Sequence, residues 1–176
     1  MLLKPRQKTP NLRVPLIQGS EWSLEEQKPE HFTVVVFYRG VHCPLCKEYI
    51  TELDSLVSEF HTVGATSVVA VSGDDIGRAR KAISEWDIKH VPIGYSQSLA
   101  SMREWGLYVS KAIREGQPNE FGEPAMFIIR PDQTLYAAIQ TTMPFMRPNL
   151  KEAIETIKWV IENNYPARGE ILTLEE

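Results

Sequence analysis

The stretch FTVVVFY, from Phe32 to Tyr38, decides the fold. It is short, continuous and rich in β-branched and aromatic residues, which is typical of a strand buried on both faces of a sheet. From Cys43 to Phe60 the apolar residues recur every three to four positions, which predicts an amphipathic helix that ends near Gly64. The sequence therefore predicts a central strand that leads through a short loop into a long helix.

The rest of the chain alternates between strand and helix patterns. We predict strands at 67–72 and 91–95, helices at 76–86 and 99–108, two antiparallel strands at 125–130 and 134–140, and a final helix after Arg147-Pro148. Trp86 and Trp159 are interpreted as core residues. This order predicts an α/β fold with a central mixed β-sheet flanked by helices on both faces.

The composition favours a globular protein with neither a nucleic-acid nor a membrane partner. The 176 residues are 43% apolar, so we expect one domain over 1–176, with 1–30 as an N-terminal extension. The formal net charge of -4 lacks the basic field that binds phosphate backbones. No apolar run reaches the roughly 18 residues that cross a bilayer. No secretory leader is recognisable, so we expect a cytoplasmic protein.

The two cysteines, Cys43 and Cys46, stand at the start of the long predicted helix. Cys43 is expected to be an exposed N-cap, and Pro44 suits the first helical position. The unpaired N–H groups and the dipole of a helix N-terminus favour a thiolate over a thiol, and His42 and Arg39 are candidates to add positive charge. Such a pair predicts redox chemistry. We expect no metal and no other cofactor, because no histidine lies at a zinc-ligand spacing from the pair.

The chain resembles the AhpC/TSA family (alkyl hydroperoxide reductase and thiol-specific antioxidant) over residues 33–164. Members carry a Pro-x-x-x-Thr-x-x-Cys motif after an aromatic-rich strand, and this motif aligns with RGVHCPLC, Arg39 to Cys46. The resemblance implies a thioredoxin-like fold and gives Cys46 the place of the peroxide-attacking cysteine.

Three positions depart from the family pattern. Arg39 stands in place of the family proline, Cys43 in place of the threonine, and Pro124 in place of the assisting arginine. Losing the hydroxyl and the guanidinium removes electrostatic stabilisation of the peroxide reaction. The Cys-x-x-Cys pair and Pro124 instead resemble thioredoxin, which implies a cis Glu123–Pro124 bond beside the dithiol. The chain is most similar to the peroxiredoxin-like subgroup with a Cys-x-x-Cys motif.

Three functions are compatible with the sequence. In a thiol-disulfide oxidoreductase, the favoured interpretation, Cys43 attacks a disulfide and Cys46 resolves the mixed disulfide. In a thiol-dependent peroxidase, Cys46 is the peroxidatic cysteine and condenses with Cys43. Arg39, Arg130 or Arg147 would then supply the missing charge, and Arg147, in a loop after the predicted hairpin, is the best placed. In a non-catalytic redox sensor or binding module, the dithiol switches a surface without turnover.

The expected partners follow from these functions. They are a protein disulfide or a peroxide as substrate, and a thiol reductant such as a thioredoxin or glutathione system. A homodimer is the candidate assembly. The apolar run Met143 to Met146 is predicted to form a wall, either for a partner or for the core.

Overall fold

A computed structural model describes residues 3–171 of the chain. In chain order its elements are β1 (Arg13–Pro15), β2 (Glu21–Ser23), a short 3-10 turn (Leu24–Glu26), β3 (Thr33–Phe37), α1 (Pro44–Thr62), β4 (Ser67–Val71), α2 (Ile76–Trp86), β5 (Ile93–Gly94), α3 (Leu99–Glu104), β6 (Val109–Lys111), β7 (Glu120–Gly122), β8 (Ala125–Ile129), β9 (Leu135–Gln140) and α4 (Leu150–Glu162).

Five of the strands form one mixed sheet in the order β5-β4-β3-β8-β9. β3, β4 and β5 run parallel, whereas β8 runs antiparallel to both β3 and β9. The predicted central strand is confirmed, since β3 lies in the middle of the sheet and all five of its residues are buried. The predicted mixed sheet is confirmed as well.

Each face of the sheet is covered by its own apolar layer, because successive side chains of a strand point to opposite faces. Val34 and Val36 of β3 face a layer formed with α1, α2 and α4. Val35 and Phe37 face a second layer, in which Trp105 and Phe127 pack edge to face at 5.1 Å between ring centroids. The two apolar layers therefore fix β3, and with it the start of α1, from both sides.

The described part of the predicted N-terminal extension packs against the sheet. β1 and β2 form an antiparallel hairpin. Leu12, Val14, Trp22 and Leu24 are buried in the second apolar layer. This segment therefore contributes core to the rest of the fold.

Several predicted elements differ in the structure. α3 ends at Glu104 rather than at residue 108, because Gly106 adopts φ +67 and turns the chain out of the helix. The interpretation of Trp159 as a core residue is wrong, since it is 51% exposed, whereas Trp86 is buried as predicted. Within residues 3–171, no helix is both long enough and apolar enough to cross a membrane.

Three chain segments meet at one edge of the sheet. β3 ends at Phe37, which pairs with Ala125 at the start of the antiparallel strand β8. Ala125 in turn pairs with Gln140 at the end of β9. The loop that begins α1, the residues before β8 and the loop after β9 therefore converge where the cysteines lie.

We predict that Gly40→Ala strongly destabilises the fold at this edge. Gly40 has φ +123, and a Cβ there would lie 2.5 Å from Oδ1 of Asp74, whose other carboxylate oxygen accepts the Val41 N–H at 2.7 Å. A left-handed alanine and a buried clash together are expected to cost about 2 to 4 kcal/mol. Urea unfolding measures the loss.

Gly19→Ala is the matched control. Gly19 also has a positive φ, at +90, but a Cβ there meets no atom within 4 Å among the described residues. We expect it to cost about 1 kcal/mol through backbone strain alone. Equal losses for the two variants would contradict the packing role of Asp74.

Candidate active site

The two cysteines occupy the first turn of α1, as predicted. Cys43 is the N-cap residue with extended backbone angles, φ -107 and ψ 106, and Pro44 takes the first helical position. The N–H of Cys46 donates to the Cys43 carbonyl at 3.0 Å. Both cysteines are free thiols, and the two sulfhydryl groups form a hydrogen bond with each other.

Both residues are buried, which corrects the expectation that Cys43 is exposed. Cys43 is 2% exposed and Cys46 is fully enclosed. Cys43 is buried because the residues before β8 and the loop after β9 converge on the start of α1. The local sequence around the helix does not reveal this convergence. Of the two cysteines, it is Cys43 that lines the external cleft described below. A reagent in solution therefore meets Cys43 first, through a confined opening.

Arg147 lies directly against the dithiol. Its Nη2 is 3.5 Å from Sγ of Cys43 and 3.4 Å from Sγ of Cys46. Its Nε and Nη1 are buried and have no hydrogen-bond partner among the described residues. The guanidinium carbon lies 5.5 Å from the centroid of the Tyr49 ring, and the Tyr49 hydroxyl donates to the Pro148 carbonyl at 2.8 Å. The loop after β9 thus places a cation with unused donors beside both sulfurs.

Arg39 supplies a second cation near the pair. Its side chain contributes a hydrogen bond to Cys43 and lies 4.6 Å above the centroid of the Phe121 ring. Nε of Arg39 is 3.3 Å from Oε2 of Glu123, and both side chains are largely buried. Ser110 donates to the other carboxylate oxygen of Glu123 at 2.6 Å. Glu123 therefore holds Arg39 in place and neutralises its charge.

Arg130, the third arginine considered from the sequence, lies away from the dithiol. The Arg130 guanidinium carbon is 5.1 Å from the centroid of the Tyr136 ring, beyond the end of β8 that is remote from the cysteines.

Sequence reasoning missed Glu123 and Ser110 as site residues. An acidic residue two positions before a fully buried strand was the signal that could have identified Glu123.

His42 lies near the dithiol but adds no positive charge, contrary to expectation. Its burial, reinforced by the charges of Arg39, Arg78 and Arg114, lowers the pKa of His42 to about 4. Nδ1 of His42 lies 3.3 Å from Nη2 of Arg78, and the ring packs on Phe121 with 4.7 Å between centroids. At neutral pH His42 is therefore uncharged.

The predicted cis bond before Pro124 is wrong, because no peptide bond among residues 3–171 is cis. Pro124 is a trans proline at the entry to β8, where a missing N–H is tolerated. Its carbonyl accepts the N–H of Thr141 at 3.1 Å. Pro124 therefore joins the loop after β9 to the start of β8. The cis proline by which it was expected to resemble thioredoxin is absent.

The environments of the two thiols move their pKa values in opposite directions. The hydrogen bond from the Cys46 thiol lowers the pKa of Cys43. The Cys46 backbone N–H, the charge of Arg147 and a hydrogen bond from Arg39 lower it further. Together these interactions outweigh burial, which raises the pKa. Burial raises the pKa of Cys46 well above its usual value, and the neighbouring Cys43 raises it further. The pair therefore favours a thiolate on Cys43 that accepts a hydrogen bond from the Cys46 thiol.

We predict that removing this hydrogen bond shifts the titration of Cys43 to higher pH. A lowered pKa keeps the Cys43 thiolate populated as the pH falls below the usual range of cysteine, and alkylation slows only below that pKa. In Cys46→Ala the midpoint of alkylation by iodoacetamide is expected to rise by about 1 to 2 pH units.

Cys46→Ser is the control, because its hydroxyl retains a donor to Cys43. The midpoint for Cys46→Ser is expected to lie closer to that of the wild type. Each variant leaves one cysteine, so the alkylated residue is unambiguous. Identical profiles for the alanine and serine variants would contradict the hydrogen-bond origin of the shift.

A cleft of about 460 Å³ opens beside Cys43. Its lining residues come from the loop between β3 and α1, from the start of α1, from the loop between β6 and β7 and from the loop after β9. They are Arg39, Cys43, Pro44, Leu45, Ile113, Arg114, Gln117, Pro144 and Phe145. Phe145 belongs to the predicted apolar wall and is 73% exposed, so Phe145 and its neighbour Pro144 face the cleft rather than the core. Within residues 3–171, no cluster of three or more histidine, cysteine or acidic side chains is arranged to hold a metal ion.

Solved structures that resemble this chain are peroxiredoxins. Peroxidoxin BcpB from Mycobacterium tuberculosis superposes with a TM-score of 0.71 at 17% identity, covering 90% of this chain and 98% of that one. A cysteine-to-serine mutant of peroxiredoxin 6 of Arenicola marina gives a TM-score of 0.75 at 16% identity, covering 93% and 76%. Reduced Prx3 from Vibrio vulnificus in complex with hydrogen peroxide gives 0.74 at 13% identity, covering 89% and 99%. These similarities confirm the predicted thioredoxin-like fold.

The sequence itself matches a protein family. No curated protein matches the chain. The AhpC/TSA family model matches residues 5–138, which is well over half of the chain. The site combines a dithiol, a favoured thiolate and an adjacent cation, which is what thiol redox chemistry requires. The chain therefore belongs to the AhpC/TSA family and is a thiol-dependent oxidoreductase.

Proposed function

We propose that the protein is a thiol peroxidase in which Cys43 attacks the peroxide and Cys46 resolves the product. The observation that carries this proposal is the position of Arg147, whose Nη2 lies within 3.5 Å of both sulfurs in a buried site. A fixed donor in a dry site stabilises the charge that develops as a peroxide O–O bond breaks. Arg147 thereby offers what the family arginine would supply, from another part of the chain.

The reaction has two steps on the enzyme. The Cys43 thiolate attacks one peroxide oxygen, the O–O bond breaks, and the leaving oxygen takes a proton to become an alcohol or water. Cys43 is then a sulfenic acid. The Cys46 sulfur attacks the sulfenic sulfur, water leaves, and a Cys43–Cys46 disulfide forms. A thiol reductant then supplies two electrons and two protons and becomes a disulfide itself.

The roles of the cysteines follow from burial and protonation. Cys43 lines the cleft and has the lowered pKa, whereas Cys46 is enclosed and has the raised pKa. The attacking group must be a thiolate that a substrate can reach. This assignment reverses the one that the motif alignment implies, in which Cys46 attacks.

A thiol-disulfide oxidoreductase is the second candidate, and the apolar rim of the cleft favours it. Ile113 and Phe145 are 89% and 73% exposed and flank the opening to Cys43. Such side chains suit contact with a protein substrate. The burial of the Cys43 sulfur weighs against it, because exchange requires the attacking sulfur to reach a disulfide on another protein.

Steady-state turnover separates these functions. We expect sustained consumption of hydrogen peroxide with dithiothreitol as reductant, and reduction of insulin disulfides no faster than dithiothreitol alone achieves. Fast insulin reduction with background peroxide turnover would establish the oxidoreductase instead. Oxidation of one equivalent without recycling would indicate the redox sensor. A thioredoxin or glutathione reductant, a cytoplasmic location and a homodimer stay predictions that accompany the proposal.

A further inference from the structure

The tip of the β6–β7 hairpin, residues 112–118, forms one wall of the cleft beside Cys43. Ile113, Arg114 and Gln117 of this tip line the cleft, and the loop after β9 supplies another part of the lining. Cys43 is 2% exposed. A displacement of the tip would therefore change which molecules reach its sulfur.

The base of the hairpin is anchored in the fold. Phe121 of β7 is buried, and its ring packs on His42 with 4.7 Å between centroids. Ser110 of β6 donates to the buried carboxylate of Glu123 at 2.6 Å. These contacts hold the two strands and do not include the tip.

The tip is attached to the rest of the protein through Arg78. Nη1 of Arg78, a residue of α2, donates to the Gly116 carbonyl at 3.2 Å. Among the described residues this is the only hydrogen bond from the tip to a residue outside the hairpin. Ile113 of the tip is 89% exposed, so apolar packing of this side chain does not replace it. One donor on α2 therefore keeps the tip at the cleft.

Arg78 is itself held by a buried carboxylate. Its Nε donates to Oδ1 of Asp74 at 2.8 Å, and the Asp74 side chain is fully buried. Oδ2 of Asp74 accepts the Val41 N–H at 2.7 Å, two residues before Cys43. Nη2 of Arg78 lies 3.3 Å from Nδ1 of His42. One planar guanidinium thus joins the loop that leads to the dithiol, the start of α2 and the hairpin tip.

We propose that Arg78 is a positioning residue that holds the hairpin tip beside Cys43 and thereby sets the width of the opening to the sulfur. It acts through the Gly116 carbonyl rather than on the thiol itself. A molecule too bulky for the closed cleft reaches Cys43 only when this hydrogen bond breaks and the tip moves away, a local opening of the structure. The inference concerns access to Cys43 and does not depend on the reaction of the dithiol.

Alkylation by two reagents with the same reactive group measures this access. Iodoacetamide and the bulkier N-(1-pyrenyl)iodoacetamide are compared in the Cys46→Ser background, where Cys43 is the single cysteine. Each rate is divided by the rate of the same reagent with N-acetylcysteine. Both rates scale with the thiolate fraction of Cys43, so the ratio of pyrenyl reagent to iodoacetamide reports access alone. In this background we expect a ratio well below one.

Arg78→Met and Arg78→Lys are expected to raise this ratio about tenfold, as the loss of one hydrogen bond from a charged group allows. The iodoacetamide rate itself is expected to stay close to that of the Cys46→Ser protein. Lysine keeps a positive charge beside the buried Asp74 carboxylate, but a single ammonium lacks the planar fork that reaches Asp74 and Gly116 together. Urea unfolding shows whether each variant keeps the fold.

Arg80→Met is the matched control, because Arg80 is an exposed arginine of α2 that does not line the cleft. It is expected to keep the ratio of the Cys46→Ser protein. Hydrogen exchange gives a readout without the thiol: peptides that cover the tip are expected to exchange faster in both Arg78 variants and not in Arg80→Met.

Three results would each overturn the inference. A ratio of one with Arg78 present would mean that the cleft does not restrict access. An unchanged ratio in Arg78→Lys would mean that positive charge alone, rather than the bridging guanidinium, holds the tip. An equal rise in Arg80→Met would trace the effect to the charge of α2. The reagents are not peroxides, so none of these results bears on the proposed function.

Discussion

Replacing Cys43 with serine is expected to abolish peroxide consumption, lowering turnover by about 10⁴-fold or more, because the attacking thiolate is lost. Cys46→Ser is expected to differ in kind. It retains the first oxidation and consumes about one equivalent of peroxide. It then stops as a Cys43 sulfenic acid, because no thiol condenses with it. Stopped-flow measurement of the first turnover and dimedone trapping of the sulfenic acid distinguish the two variants.

The wild-type protein is the reference for these variants, since it should form the Cys43–Cys46 disulfide and give little dimedone adduct. A dimedone adduct on Cys46 in Cys43→Ser, together with an inert Cys46→Ser, would reverse the two roles. The motif alignment would then outweigh the burial and protonation of the two thiols. Circular dichroism shows whether each variant keeps the fold, so that a loss of activity is assigned to chemistry.

Arg147→Gln is expected to slow the first oxidation step by about 10² to 10³-fold, the loss that follows removal of one fixed donor from a site of developing charge. The substitution also removes a cation that lowers the pKa of Cys43. The midpoint of Cys43 alkylation should therefore move to higher pH. Arg147→Lys keeps the positive charge but loses the planar guanidinium with its paired donors. Compared with Arg147→Gln, we therefore expect its alkylation midpoint to return closer to the wild-type value than its oxidation rate does.

Arg130→Gln is the control, because Arg130 packs on Tyr136 away from the dithiol. It is expected to keep the wild-type rate and midpoint. Arg147→Gln with an unchanged rate would remove the main support for the peroxidase proposal. A slower rate with an unchanged midpoint would mean that Arg147 acts on the peroxide and not on the thiolate.

The main sheet could be predicted from the sequence because its strands are runs of buried residues. β3, β4 and β8 are continuous apolar segments, and α1 follows β3 after a short loop, so local patterns suffice. The short pairs β1–β2 and β6–β7 were missed. Each strand has three residues, too few for an alternating pattern to be recognised.

The candidate site depended on contacts between distant residues. Arg147 meets cysteines that are 104 and 101 positions away in the chain. This proximity follows from the antiparallel strands β8 and β9, which return the chain to the edge where α1 begins. The burial of Cys43 has the same origin, so the expectation of an exposed thiol failed.

Trp159 was misjudged for a local reason. The buried residues of α4 include Leu150, Ile154 and Ile157. A residue two positions after Ile157 lies about 200° around the helix, on the opposite face. Trp159 is therefore on the outer face, where its ring packs on Tyr165 with 5.5 Å between centroids. Helical periodicity, applied strictly, outweighs the general tendency of tryptophan to be buried.

The separation of β6 and β7 from the main sheet makes one wall of the cleft independent of the elements that carry the dithiol. Within residues 3–171 the two strands pair only with each other, and the loop between them brings Ile113 and Arg114 to the cleft. The dithiol and Arg147 belong to α1 and to the loop after β9. Insertions or exchanges within residues 112–119 therefore leave the reacting groups in place. Under the proposed function, substrate preference can therefore change, by evolution or by design, while the reacting groups are retained.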